Sequence, residues 1–233
     1  MSWWTDEWLA VDLETTGLDP KADRIVSAAT AWCERGVPFE TRTWLADAGR
    51  QEIPVEATKI HGITTRHAHR YGRPTGLVAH AVAGLMSVAA DDRAPVVVAN
   101  APFDLTMLAC ELHRTSYRAP EVMRVLDPLL LDWRLDPFRE GRRRLEDLCR
   151  HYEVEHGGPH RADADAAAAA AVAYRIVGHF PQLQAMTLAE VHEAQVKWAA
   201  ERAAARQAHK RRTDPAAVVD GHWPLIPRQG VTA

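Results

Sequence analysis

Five residues of this chain have types and spacings that can do chemistry together. Asp12 and Glu14 stand two apart at the end of the apolar run Trp8–Leu13. Strand side chains alternate with period 2, so both carboxylates project from one face while Leu13 points the other way. Two acids so placed repel each other unless a cation lies between them. A third acid, Asp104, lies in "NAPFD", where Asn100 ends the apolar "PVVVA" and Pro102 suits the first turn of a helix. That edge of an α/β sheet is where ligands usually sit. His160 and Asp165 lie in "GGPHRADADAAAAAA", Gly157 to Ala171. Pro159 and the glycines break structure there, and the alanines favour a helix from about Arg161. A histidine on the approach to a helix and an acid one turn in can face one cleft. Asp163 should point elsewhere, about 160° away on an ideal helix.

Each acid taken alone has an ordinary explanation. Asp12 and Glu14 also fit a polar strand end leading into the turn "TTGLDP". Asp104, Asp163 and Asp165 also fit acids that complement a helix dipole in a first turn. Together, Asp12, Glu14, Asp104 and Asp165 can surround two Mg²⁺ or Mn²⁺ ions, hard cations that prefer carboxylate oxygens. Two such ions about 3.5–4 Å apart stabilise both the attacking and the departing oxygen of phosphodiester hydrolysis. Histidine is the side chain best suited to take a proton near neutral pH, and His160 is placed for that role.

The elements that must position these residues follow from periodicity and turn signals. Trp8–Leu13, Arg24–Glu34 and Phe39–Ala46 read as strands of an antiparallel meander. Val55–His61 reads as a short helix. Thr75–Ala90 reads as a longer one with Leu77, Ala81, Leu85 and Val88 on one face. Pro95–Ala99 has a buried-strand pattern, Phe103–His113 is helical, and Val122–Leu126 is another strand. Helices follow over Arg144–Tyr152 and from about Arg161 to Val177. "TLAE" at Thr187 is a capping box that starts a helix toward Arg211, with Leu188, Val191, Gln195 and Trp198 on one side. The pattern predicts an α/β fold with a mixed sheet, the antiparallel meander preceding parallel strands, flanked by helices.

The 233 residues suit one α/β domain plus an extension. We divide them into a domain over 1–184 and a C-terminal helix with a proline-containing tail over 185–233. No apolar run approaches the roughly 20 residues of a membrane span, and the N-terminus lacks a signal-peptide pattern. Three widely spaced cysteines, Cys33, Cys110 and Cys149, suggest neither zinc nor a disulfide framework, so a reduced, cytoplasmic protein is expected. The net charge of −3 does not advertise nucleic-acid binding, although a site that clamps a strand end through metal ions needs no globally basic surface.

The motifs "VDLETTGL", "NAPFD" and "HRADADA" resemble, in order and spacing over roughly Trp8 to Gly178, those of the DnaQ-like 3′→5′ exonucleases. These form the DEDD group of the ribonuclease H-like fold. The histidine five positions before the last aspartate resembles the DEDDh subgroup. The resemblance implies that Asp12, Glu14, Asp104 and Asp165 hold the metals and that His160 is the general base; it does not extend to Asp163. It also implies that Thr15, Thr16 and Gly17 offer hydroxyl and N–H groups to the 3′-terminal nucleotide, with Leu18 touching its base. "ATKIHGIT" resembles a stretch lining the nucleotide pocket, which makes His61 a contact unless it is a capping or surface histidine. Asn100 and Phe103 would line the cleft, with Phe103 equally suited to the core. Arg139 and Arg142–Arg144 suit phosphates, or a solvated loop.

The expected activity is metal-dependent release of mononucleotides from a 3′ end, in single-stranded DNA first, as in proofreading or repair. An exoribonuclease of the same fold and a non-catalytic, polymerase-associated adaptor are the alternatives. The tail "HWPLIP" suits docking on a protein partner or folding back over its own domain. A chain ending near Gln184 is expected to keep cleaving short oligonucleotides.

Overall fold

The computed structural model describes residues 3–117 and 124–227. A short 3₁₀ turn, Trp3–Thr5, leads into β1 (Glu7–Thr15). β1 pairs antiparallel with β2 (Ile25–Glu34), and β2 with β3 (Val37–Asp47). Arg35 and Gly36, both at positive φ, close the β2–β3 hairpin. Two consecutive positive φ values match the right-handed twist of the flanking strands. α1 (Val55–His61) and α2 (Thr65–Tyr71) follow, then β4 (Arg73–Pro74), parallel to the end of β3. α3 (Thr75–Asp91) leads to β5 (Val96–Val97), parallel to β1. α4 (Ala101–Arg114) leads to β6 (Val125–Leu126), parallel to β5. Val122 and Met123, where a strand was expected to begin, lie outside the described residues. The remaining helices are α5 (Pro128–Leu135), α6 (Leu145–His151), α7 (Ala162–His179), α8 (Pro181–Gln184) and α9 (Leu188–Lys210). The strand order is β4-β3-β2-β1-β5-β6, an antiparallel meander followed by parallel strands.

The alternation along β1 fixes the geometry of everything that follows. Leu9, Val11 and Leu13 enter a core cluster with α3 and α4, through Val78, Val82, Met86 and Leu105. Trp8 and Ala10 enter a second cluster with α7, through Ala169, Val172 and Ile176. Asp12 and Glu14 continue the second set, so they lie on the α7 side of the sheet. The alanines of α7 are small enough for the helix to press closely against β1 and β2, and Ala166, Ala169, Ala170 and Ala173 are buried there.

Several features depart from the sequence reading. The inner face of α3 is Val78, Ala79, Val82, Ala83, Met86 and Ala89, while Leu77 and Val88 are 53% and 47% exposed. Small residues interleaved with Val78, Val82 and Met86 let the helix approach the sheet more closely than the bulkier Leu77–Val88 stripe allows. α5 went unforeseen, because "PLLLDWRL" is a short apolar run without a clear helical period. α2, β4 and α8 were also unforeseen.

The segment after Gln184 packs against the same two clusters. The Thr187 hydroxyl accepts from the Glu190 N–H at 3.2 Å, and the Glu190 carboxylate accepts from the Thr187 N–H at 2.7 Å. Gln195, fully buried, donates to the Val125 carbonyl at 2.8 Å and accepts from the Asp127 N–H at 2.9 Å. Trp223 is buried in the α3/α4 cluster, and the Ile226 N–H donates to the Thr106 hydroxyl at 2.9 Å. Among the described residues, no helix is long and apolar enough to cross a membrane.

Candidate active site

Strand β1 and the early turns of α4 and α7 bring the four acids together. Ligand oxygens of Asp12, Glu14 and Asp165 lie within 4.8 Å of one another. Asp104, buried in the first turn of α4, accepts the backbone N–H of Leu13 on Oδ1 at 3.1 Å. That bond fixes its carboxylate against β1, between the residues that carry the other two strand acids.

The electrostatic cost of this arrangement is large. Burial pushes the Asp12 carboxyl well above the usual range, and the charges of Asp104, Asp165 and Glu14 push it further. Glu14 is pushed up to about 7, by burial first and then by Asp165. Burial also raises Asp104, against the opposing effect of the Leu13 N–H. Asp165 is raised by burial and partly relieved by His156 and by the His160 N–H. Crowded carboxylates can be charged together only beside a cation. An all-carboxylate set of this kind fits hard divalent ions.

The loop before α7 is tied to Asp165 at two points. The His160 N–H donates to Oδ2 at 3.0 Å, with His160 itself in the left-handed region at φ +63°. His156 Nε2 stands 2.8 Å from Oδ1, close enough for a charge contact though not aligned as a hydrogen bond. The His160 ring is half exposed, with Nε2 3.7 Å from Glu146 Oε1. Its charge also acts on Asp165, which puts the ring near the rim of the acid cluster. Asp163 turns away, paired with Arg161 at 2.7 Å. The sequence reading did not single out His156. "HGGPH" offers two histidines four apart, and only the folded loop decides that His156 touches the acid through its ring and His160 through its backbone.

Residues 9–173 match the model of the RNase_T exonuclease family. The chain belongs to this family, among the DnaQ-like 3′→5′ exonucleases. The 3′-5′ exonuclease DinG of Bacillus subtilis is 30% identical over 185 residues, which cover 79% of this chain and 19% of that protein. Exonuclease I superposes with a TM-score of 0.68 at 23% identity, over 77% of this chain and 42% of that one. Exonuclease I of E. coli in complex with a dA16 oligonucleotide gives 0.67 at 22% identity, with the same coverage of both chains. The moderately thermophilic exonuclease I of Methylocaldum szegediense gives 0.63 at 25% identity, over 76% of this chain and 42% of that one. The fold is therefore ribonuclease H-like. The chain spans about a fifth of the length of DinG and about two-fifths of the exonuclease I chains.

The positions that the family resemblance assigns to the terminal nucleotide divide into two groups. Leu18 is 89% exposed beyond the end of β1. The Thr15 hydroxyl donates to the Gly17 carbonyl at 2.7 Å. His61 faces the same edge. Its Nδ1 accepts from the Ile63 N–H at 3.1 Å, and its Nε2 has no hydrogen-bond partner. Burial lowers the His61 pKa, the nearby Thr15 carbonyl opposes that, and the charge of His160 adds to the lowering. Asn100 is exposed at the left-handed N-cap of α4.

Two other positions are engaged in the fold. The Thr16 hydroxyl donates to Asp23 at 2.8 Å and receives the Arg24 N–H and the Gln51 amide, both at 3.0 Å. The Thr16 N–H donates to the Arg24 carbonyl. Both groups expected to face a nucleotide are thus spent inside the loop, because Asp23 and Gln51 converge on that residue. A Cβ at Gly17 would meet the Asp23 carboxylate at 2.5–2.8 Å, so glycine there permits the close packing. Phe103 is partly buried against the α3/α4 cluster. Two of the basic residues expected to hold phosphates are engaged as well. Arg139 forks onto the buried Asp132 at 2.9 and 3.0 Å, and Arg143 joins it there with Tyr152. Only Arg142 and Arg144 of that run stay exposed.

Proposed function

We propose that this chain is a metal-dependent exonuclease that hydrolyses the terminal phosphodiester at the 3′ end of single-stranded DNA and releases nucleoside monophosphates. The observation that carries this reading is the convergence of Asp12, Glu14 and Asp165 within 4.8 Å, with Asp104 pinned beside them, in a chain of this family. The exonuclease I of E. coli seen with dA16 supports DNA as the substrate. The reading covers the domain over 1–184, with 185–233 as an extension whose described part, 185–227, packs on it.

Asp12, Glu14, Asp104 and Asp165 are the residues that would hold two Mg²⁺ or Mn²⁺ ions, which when bound stabilise charge on the attacking and leaving oxygens. The protein's own contribution begins with Asp165, whose carboxylate is held in place by the His160 N–H. The exposed ring of His160 is in reach of solvent water and takes its proton onto a ring nitrogen as attack proceeds. Leu18 offers an apolar surface for the terminal base, and Thr15, Gly17, His61 and Asn100 border the same end of β1. Three free cysteines, all buried, suit a reducing cytoplasm.

The test is a 5′-labelled oligonucleotide offered as DNA and as RNA, in Mg²⁺, in Mn²⁺ and in EDTA. The expected result is stepwise shortening of the DNA from its 3′ end with either metal and none in EDTA. Faster cutting of RNA makes the chain an exoribonuclease. A folded protein that binds the strand and leaves it intact in both metals overturns catalysis and leaves an adaptor.

A further inference from the structure

A recess of about 180 Å³ lies between the start of α4, helix α9 and the C-terminal segment, and of its lining only Asn100 has a role above. Asn100 and Pro102 form one wall, Arg202 and Arg206 of α9 another, and His222 and Trp223 a third. Arg202 and Arg206 are four residues apart, so they share one face of α9. Among the described residues, neither guanidinium has a carboxylate within 4.0 Å, and that of Arg202 lies 5.8 Å from the centroid of the Trp133 ring. Two acids also line the recess, but their oxygens are engaged. Asp127 accepts the N–H groups of Asn100, Ala101 and Leu129 at 3.0–3.1 Å. Asp220 accepts the His222 N–H at 2.9 Å and contacts its ring at 2.6 Å. Burial is the main influence on Arg202 and lowers its pKa, against the charge of Asp127. A partly buried cation without a bonded counter-charge favours an incoming anion.

A second observation points the same way. Trp223, 6% exposed, lines the recess, and its buried indole Nε1–H has no acceptor. Buried donors in native proteins are nearly always paired, and this unpaired one belongs to a residue that lines the recess together with Arg202 and Arg206. The volume is below the roughly 300 Å³ of typical small-molecule sites, which suits a phosphate group better than a whole nucleotide.

We infer that this recess is a phosphate subsite for the strand whose 3′ end reaches the acid cluster. Arg202 and Arg206 supply the charge and the Asn100 side-chain amide a donor, with the Trp223 indole packed beside them. The inference rests on the exonuclease reading of the acids. Asn100 and Asp104 are one turn apart in α4, about 6 Å of rise, which is within reach of a neighbouring nucleotide. The C-terminal extension thus holds the strand while the domain over 1–184 cuts it.

The experiment uses the full chain and the variant Arg202→Gln/Arg206→Gln, with folding checked by circular dichroism. Substrates are an oligothymidylate octamer and a minimal thymidine 5′-phosphate nitrophenyl ester that reaches only the metal site. The expected result is a KM for the octamer that rises roughly tenfold more than that for the ester, with a salt slope for octamer binding reduced by about 1.4. An equal change for both substrates overturns the subsite. The second readout needs no catalysis. In EDTA, the Trp223 indole cross-peak of the wild-type protein, assigned through Trp223→Phe, should shift with the octamer. A shift with inorganic phosphate but not with the octamer makes this a free-anion site and overturns the strand assignment, as does no shift with either. If wild-type protein cuts neither substrate in Mg²⁺ or Mn²⁺, the exonuclease reading fails, whereas the indole shift still reports on the recess.

Discussion

Asp104 is held by the backbone N–H of Leu13, the residue between Asp12 and Glu14, so one hydrogen bond of 3.1 Å locks the start of α4 to the strand that carries the other acids. Leu13 turns its side chain into the α3/α4 core while its N–H keeps the third carboxylate beside the first two. The fold thereby holds like charges together at its own expense. That conflict between stability and chemistry underlies the first two predictions.

Neutralising an acid should stabilise the metal-free protein and abolish cleavage. The rise of Glu14 from 4.5 to about 7 corresponds to up to about 3 kcal/mol against the charged form. Glu14→Gln should therefore raise Tm in EDTA at pH 7.5 by several degrees, at roughly 2–4 °C per kcal/mol for a chain of this size. Asp12→Ala should lose several kcal/mol of transition-state stabilisation, about 10³-fold in rate. Calorimetry in EDTA and turnover in Mg²⁺ check the pair. Unchanged turnover in Asp12→Ala removes the metal-site reading, and a lower Tm in Glu14→Gln removes the charge-strain account.

The same shift gives a pH dependence. Glu14 binds its proton more tightly folded than unfolded, so its contribution to stability is complete below pH 4.5 and is lost as pH rises through about 7. Metal-free protein should lose stability across that window. Added Mg²⁺ or Mn²⁺ should stabilise increasingly over the same range, because the ligands must shed protons to bind it. Melting curves from pH 5 to pH 8, with and without metal, test this. A metal-induced rise in Tm that is constant across the range contradicts it.

His160 and Asp163 are three residues apart and should behave oppositely. His160→Ala should lose roughly 10²–10⁴ in rate, the usual worth of a general base, while its backbone N–H still holds Asp165. Asp163 is paired with Arg161 on the far side of the helix start, so Asp163→Ala should cost at most about 1 kcal/mol of stability and little rate. Metal affinity by calorimetry and single-turnover rates separate the two. Equal loss of rate in both variants contradicts the assignment of the helix face.

The acids were legible because each breaks an otherwise apolar pattern at an element end, where only charge or chemistry explains a carboxylate. β1 and α7 were legible for a related reason: both carry long, regular patterns that tertiary packing did not override. The strand pairs β5 and β6 reduce to two residues each, and their neighbours continue them only through scattered backbone bonds such as Val98 N–H to Leu126. The internal engagement of Thr16 could not be read, because its partners Asp23 and Gln51 come from separate loops. The inner face of α3 was misread because alanine, which contributes little to a hydrophobic pattern, is what permits close packing there. The role of His156 depends on how the loop before α7 folds back on Asp165, and the Arg202–Trp223 recess on contacts between distant segments, and local spacing carries no signal for either.

The last prediction concerns the joint between β6 and α9. Gln195 is fully buried and bridges the Val125 carbonyl and the Asp127 N–H, while His192 Nδ1 accepts the Val125 N–H at 3.0 Å. Asp127 in turn caps α5 and anchors Asn100. Gln195→Ala should leave buried backbone groups unpaired at a cost of about 1–3 kcal/mol. A chain ending at Gln184 should lose more than that, because Leu188, Val191 and Trp223 leave the two clusters and the buried Ala203 and Gln195 are lost with them. The sequence alone suggested that such a chain keeps its turnover on a short oligonucleotide. The packing instead predicts that it melts earlier than Gln195→Ala and cuts only below that melting temperature. Thermal unfolding of the full chain, Gln195→Ala and the truncated chain, each paired with activity on the octamer, decides the matter. Equal melting temperatures for the full and truncated chains would mean that α9 rests on the domain without stabilising it.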